Sequence, residues 1–141
     1  MRPPEPAAVL LDLDGTLVDS VYVHVTCWAA ALRDHDREVP MWRIHRGIGM
    51  GSERILPWLL GGQVETEEAE SLTKGHRERF LDRTDELVPT DGARALLEDL
   101  EARGVPFLIA TSAGSAEREA LLAALGREDL RVSDSDDVGS S

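Results

Sequence analysis

Ala7 to Leu11 is an unbroken apolar run that stops at Asp12. A short apolar stretch without polar alternation suits a central strand of a parallel sheet, covered on both faces. A different period then takes over. Val21, Val25, Trp28, Ala29 and Leu32 recur at helical spacing behind Ser20, a residue able to cap a helix, and Pro40 lies beyond their end. The pattern predicts a helix from 21 to about 36. A second helix is expected from Ser52 through Trp58 to Leu60, stopped by Gly61-Gly62. A third opens at Thr66, with Glu67 and Glu68 in its first turn, and runs toward Leu81. Nothing between 18 and 88 predicts a strong strand.

From Thr90 onward short elements alternate. Ala93, Leu96, Leu97 and Leu100 mark a helix closed by Gly104, Val105 to Ala110 is an apolar strand, and Ser115 opens a helix to about Leu125. Strand, helical insert, helix, strand, helix is the order of an α/β fold with a parallel, doubly wound sheet. The core is expected in residues 1–17 and 89–141, with the helical insert over 18–88. The tail from Glu128 is acidic and polar and is expected to be solvated.

Composition narrows the chemistry. A length of 141 residues suits one domain or a small domain with an insert. The formal charge of −12, with Lys74 as the lone lysine and no basic cluster, argues against nucleic-acid binding and against an anionic membrane surface. No apolar run approaches the roughly 20 residues of a membrane span. The start, Met1 to Pro6, is proline-rich and acidic and lacks the apolar region of a signal peptide, so a cytoplasmic location is expected. Cys27 is the single cysteine and is expected as a small buried hydrophobe. Such an acidic chain would repel a phosphate substrate, so phosphate chemistry here calls for a divalent cation.

Asp12-Leu13-Asp14-Gly15-Thr16 falls where the first strand meets its loop, the carboxyl end at which parallel sheets place ligands. Two carboxylates two residues apart on extended backbone point to one side, and Gly15 permits a sharp turn that can aim main-chain N–H groups at an anion. One aspartate can attack phosphorus while the other handles the leaving-group proton. An EF-hand loop starting at Asp12 would need glycine sixth and glutamate twelfth, and Leu17 and Val23 stand there. The second apolar strand ends in Thr111-Ser112, hydroxyls able to hold a phosphate oxygen. His24, one helical turn past Ser20, either looks back toward Asp12 or packs within the insert. The remaining histidines, at 35, 45 and 76, form no pair at metal-ligand spacing and are expected at the surface or in the insert core. Trp28, Trp42 and Trp58 are expected to anchor that small core.

Val9 to Ser20, with Asp12-Leu13-Asp14-Gly15-Thr16 at its centre, resembles the first motif of the haloacid dehalogenase superfamily, and Leu108 to Ser112 resembles its second. The resemblance implies a Rossmann-like core with an inserted α-helical cap and a phosphatase acting on a small phosphorylated metabolite. It implies Asp12 as a nucleophile that becomes an aspartyl phosphate, Asp14 as general acid then base, and Thr111, Ser112 and the backbone at Leu13 as phosphate contacts. Mg²⁺ would be held by Asp12 through its carboxylate and Asp14 through its carbonyl. Asp14 also separates phosphatases from the family's dehalogenases, which carry a non-acidic residue there. Gly47-Ile48-Gly49-Met50-Gly51 is similar to the substrate loop of phosphoglycolate-phosphatase-like members. Sugar-phosphate mutases share His24 and Trp28 but carry a basic residue near Met50, which this chain lacks. The family's third motif, a lysine, and its fourth, metal-binding carboxylates, have no match. Asp136 to Ser141 is similar to the segment that leads into that lysine, so the chain is expected to stop short of both motifs. A non-catalytic remnant or binding fragment is the alternative reading. The pattern specifies neither the substrate nor an oligomeric state.

Overall fold

The structure, a computed structural model, describes residues 8–134. The proline-rich start and the acidic positions Asp136 and Asp137 lie outside the described residues. In chain order, β1 (Val9–Leu11) runs through a tight turn into a two-residue strand, β2 (Val18–Asp19). Four helices follow: α1 (Val21–Asp34), α2 (Met41–Gly47), α3 (Ser52–Leu60) and α4 (Thr66–Leu81). A 3-10 turn at Thr84–Glu86 leads to β3 (Val88–Pro89), α5 (Ala93–Ala102), β4 (Phe107–Thr111), α6 (Ser115–Leu125) and β5 (Val132–Asp134).

The main sheet has the order β1-β4-β5, and both pairings are parallel, with Leu11 opposite Ile109 and Thr111 opposite Asp134. Parallel neighbours need crossover connections, which here contain helices, so the fold is α/β. In-register parallel pairing also brings the carboxyl ends of β1 and β4, with Asp12 and Thr111, to one edge of the sheet. Two expectations change. Among the described residues β1 pairs only with β4, and Leu10 is 70% exposed, so β1 is an edge strand there, covered on the Leu11 side alone. The stretch at Val132–Asp134, expected as solvated tail, is the third strand: its main chain pairs with β4 whatever the charge of its side chains.

Side chains divide between two apolar clusters. Leu13, Leu17, Phe80, Leu97, Ile109 and Leu121 belong to the one beneath the sheet, and Trp28, Leu32, Ile44, Ile55, Leu56 and Leu72 to the one among the helices. Helix α1 serves both, with Val23 and Cys27 in the first and Val25 and Trp28 in the second. Where the chain leaves and re-enters the sheet region, β2 and β3 pair antiparallel and the Thr90 hydroxyl donates to the Thr16 carbonyl at 2.6 Å. Only Trp28 is the core anchor expected of the tryptophans. Trp42 and Trp58 are 59% and 37% exposed, and each lies under a guanidinium, Arg46 and Arg43 respectively. No helix among the described residues is long and apolar enough to cross a membrane.

Candidate active site

The β1–β2 turn folds back on itself. Gly15 has φ +70°, a left-handed conformation that glycine adopts without strain, and a Cβ there would meet Val21 Cγ2 at 2.6 Å. Its N–H donates to the Val18 carbonyl at 2.8 Å and to Ser20 Oγ at 3.2 Å. The glycine therefore serves to close the turn, and its N–H is not free to face an anion. Leu13 is fully buried, and its N–H donates to Asp12 Oδ1 at 2.7 Å.

Asp12 sits on the exposed side of this turn. Partial desolvation raises its carboxyl above the usual range, the Leu13 N–H opposes that, and the charge of Asp14 adds to it. Asp14 faces the other way, toward the helices. Its Oδ1 accepts the Ser20 hydroxyl at 2.7 Å and lies 2.7 Å from His24 Nε2. Burial alone would push Asp14 up, but the His24 and Ser20 hydrogen bonds outweigh it and hold the carboxyl below its ordinary value. An ionised carboxylate only accepts, so His24 Nε2 is the donor in that bond. Ser20 is fully buried and makes no side-chain cap for α1: its hydroxyl is spent on the turn.

His24, for which the sequence left open a turn toward Asp12 or a packing role in the insert, bonds to Asp14 and has a further neighbour. His24 Nδ1 is 2.9 Å from His76 Nε2 on α4. The two imidazoles are held by flat stacking, His24 on Phe80 at 4.3 Å and His76 on Trp28 at 4.2 Å between ring centres. Burial, then the neighbouring His24, lower the His76 pKa to about 3, so its ring is neutral. Sequence reasoning missed His76 as a site residue because it lies 52 positions from its partner. A signal was present: His24 and Trp28 are four apart on one helix, as are His76 and Phe80 on another.

Across the sheet edge, Thr111 is buried, and its Oγ1 accepts the Ala113 N–H at 3.1 Å, which leaves the hydroxyl hydrogen available to a ligand. Ser112 donates its hydroxyl to the Gly49 carbonyl at 3.1 Å and so ties the loop after β4 to the loop after α2. A cavity of about 220 Å³ lies between them, lined by Asp14, His24 and His76 on one side and by Ile48, Gly49, Met50, Gly51 and Ser112 on the other. Gly47 itself is not in the loop: it ends α2, against Ile55 and Trp58, where a Cβ would meet their side chains at 3.0 to 3.1 Å. Arg77 and Glu117, which the sequence reading did not single out, also line the cavity. Asp12 is not on its wall.

The model of the haloacid dehalogenase-like hydrolases matches residues 6–140. The chain belongs to this family. Among solved structures of similar fold, a hydrolase from Pseudomonas syringae is 34% identical with a TM-score of 0.88, over 95% of this chain and 64% of that one. A predicted phosphoglycolate phosphatase from Haemophilus somnus 129pt is 19% identical with a TM-score of 0.75, over 97% and 67% of the two chains. A β-phosphoglucomutase from Clostridium difficile is 18% identical with a TM-score of 0.80, over 96% and 64%. At such identities the last two speak for the fold alone. The chain thus spans about two thirds of the length of these relatives. No curated protein matches it.

Proposed function

We propose that this haloacid dehalogenase-like hydrolase chain carries a magnesium-assisted phosphatase site for a small phosphorylated metabolite, in the cytoplasm. The observation that carries the reading is the division of labour in one turn: Asp12 is presented at the sheet edge beside Thr111, while Asp14 is held by His24 and Ser20. In this proposal residues 1–17 and 89–141 are the core, and 18–88 are a helical cap over the site.

Magnesium takes hard oxygen ligands and is held by one or two carboxylates together with substrate phosphate and water. The turn fits that need, because the Asp12 carboxylate is exposed and the Asp14 main-chain carbonyl is a second oxygen. When bound, the ion would neutralise phosphate charge at the turn. The protein's own residues do the remaining chemistry. An oxygen of Asp12 attacks phosphorus, the bond to the leaving oxygen breaks, and that oxygen takes the proton that Asp14 holds once the substrate is bound, which leaves Asp14 as the carboxylate that accepts from Ser20 and His24 Nε2–H. Asp14, ionised again, then takes a proton from the water that opens the aspartyl phosphate. Thr111 donates to a phosphoryl oxygen throughout.

A second reading, a phosphate-binding module without turnover, is favoured by one observation: among the described residues no group of three His, Cys, Asp or Glu side chains is placed to hold a metal. The test is to incubate the chain with p-nitrophenyl phosphate and Mg²⁺ and measure both nitrophenol release and a phosphoryl adduct on the peptide containing Asp12. The expected result is release and an adduct, both lost in Asp12→Asn with an unchanged melting temperature and both lost in excess chelator. Turnover retained in Asp12→Asn would remove Asp12 from its role, and binding of the ester without release would establish the second reading.

A further inference from the structure

Two buried rings, His24 on α1 and His76 on α4, stand end to end behind Asp14, 7% and 5% exposed. A neutral imidazole offers one N–H and one lone pair, and the partner of either nitrogen fixes which is which. The Asp14 carboxylate only accepts, so His24 Nε2 carries a hydrogen and donates to Oδ1 at 2.7 Å. His24 Nδ1, on the far side of the ring, meets His76 Nε2 at 2.9 Å. That bond can run either way: a neutral His24 accepts from His76 Nε2–H, and an imidazolium donates to His76. The work of Asp14 separates the two. In turnover its carboxyl alternates between holding and lacking a proton, and each time it holds one a charged His24 would be left buried between Phe80 and His76, its paired charge gone. A neutral His24 keeps its Nε2–H on Oδ1 in both states. Burial keeps His76 neutral as well, and stacking holds both rings in place, His76 on Trp28 at 4.2 Å and His24 on Phe80 at 4.3 Å between ring centres.

We propose that His76 is a positioning residue for the phosphatase reaction: its Nε2–H occupies His24 Nδ1 and so locks His24 as the Nε2–H tautomer that holds Asp14. This rests on the phosphatase reading of the same site. Without the lock, His24 can carry its hydrogen on Nδ1, and its bare Nε2 then competes for the proton of Asp14. A proton drawn onto His24 is lost to the leaving oxygen. The loss falls on substrates whose leaving oxygen must be protonated as it departs, and hardly on those, such as p-nitrophenyl phosphate, whose leaving group is stable as an anion. His76→Phe isolates the effect, because it keeps a flat ring against Trp28 and removes the donor.

Nitrogen-15 NMR of the full chain, labelled at histidine, reads the tautomer without need of turnover. Near neutral pH, His24 of the unaltered chain is expected to carry its hydrogen on Nε2 alone, with a nitrogen–nitrogen coupling from His76 Nε2 to His24 Nδ1. In His76→Phe both tautomers of His24 should be present. Turnover in Mg²⁺ gives the second readout. His76→Phe should lower kcat for ethyl phosphate by about a hundredfold, the lower end of what a general acid contributes, and kcat for p-nitrophenyl phosphate by less than about twofold, with KM unchanged for both. Hydrogens on both nitrogens of His24 in the unaltered chain, an unchanged tautomer in His76→Phe, or equal losses with the two esters overturns the proposal while the phosphatase reading stands. No turnover of either ester by the unaltered chain overturns both. The tautomer and the coupling are read on the unaltered chain, so the proposal stays open to refutation even where the variant does not fold.

Discussion

His76 Nε2 stands 2.9 Å from His24 Nδ1, and His24 Nε2 stands 2.7 Å from Asp14, so three side chains from three elements form one buried line of hydrogen bonds. The arrangement makes stability depend on pH with a definite sign. Burial lowers the His76 pKa from 6.5 to about 3, so the unfolded chain binds this proton more readily than the folded one. His76 thus stabilises fully above pH 6.5, and that contribution drains away as pH falls toward 3, by on the order of a few kcal/mol. Asp14, also lowered, adds a loss only below its ordinary value of 3.8. Urea unfolding from pH 8 to 4 should show falling stability, and His76→Phe, which keeps the stack on Trp28, should flatten the curve between pH 6.5 and 4. An unchanged slope in that variant would mean that another group carries the effect.

Much of this site was legible in the sequence, and the limits have physical causes. Asp12 could be placed because a strand end and a glycine turn are local events, and helices 52–60 and 66–81 because their patterns and stops are local too. Helix α2 was hidden because Pro40 served in the reading only as the stop of the helix before it, whereas its backbone opens the next one. Strand β5 was hidden because main-chain pairing with β4 leaves no side-chain signature in three residues. Ser20 was read as a cap, the commonest use of serine before a helix, yet the turn at Asp14 claimed its hydroxyl. His76, Arg77 and Glu117 reach the site only through the packing of α4 and α6 around it, which no local pattern encodes.

Gly15→Ala should be one of the most damaging small substitutions in the chain. The added methyl must fit at φ +70° with its carbon 2.6 Å from Val21 Cγ2, in the turn that positions both aspartates. Left-handed strain and overpacking each cost about 1 to 3 kcal/mol. The expected loss is about 2 to 5 kcal/mol in urea unfolding, whereas Gly62→Ala, whose Cβ would meet nothing within 4 Å, should change stability by about 0.5 kcal/mol or less. Equal effects at the two positions would show that the turn tolerates a side chain.

Met50 lies on the cavity wall in the loop that Ser112 fastens to the sheet edge, so its side chain is placed to influence which leaving groups fit. Met50→Arg adds a second cation on the wall that Arg77 shares. Binding of phosphoglycolate relative to ethyl phosphate should rise by about tenfold, the worth of one charge-assisted hydrogen bond. The readout is the ratio of the two dissociation constants in Mg²⁺. A ratio equal to that of the unaltered chain would take this loop out of substrate choice.

The open side of β1 sets the last expectation. Among the described residues Val9 to Leu11 pair with β4 alone, which leaves one line of main-chain donors and acceptors unmatched. Leu10, 70% exposed, sits opposite Leu108 on the face away from the Leu11 side, so an apolar surface adjoins that free edge. Unpaired edges beside apolar side chains template pairing with other chains, and a lysine on the edge discourages it. Leu10→Lys should therefore lower self-association, measured by sedimentation as concentration is raised, while moving stability by no more than about 0.5 kcal/mol because the side chain buries little in the monomer. Leu96→Lys on α5 is the control: Leu96 is 42% exposed but far from any strand edge in sequence and in pairing, and it should leave association unchanged. Equal relief from both substitutions would make general surface hydrophobicity the cause. Relief confined to Leu10 would locate it at the edge of β1, the same strand that presents Asp12.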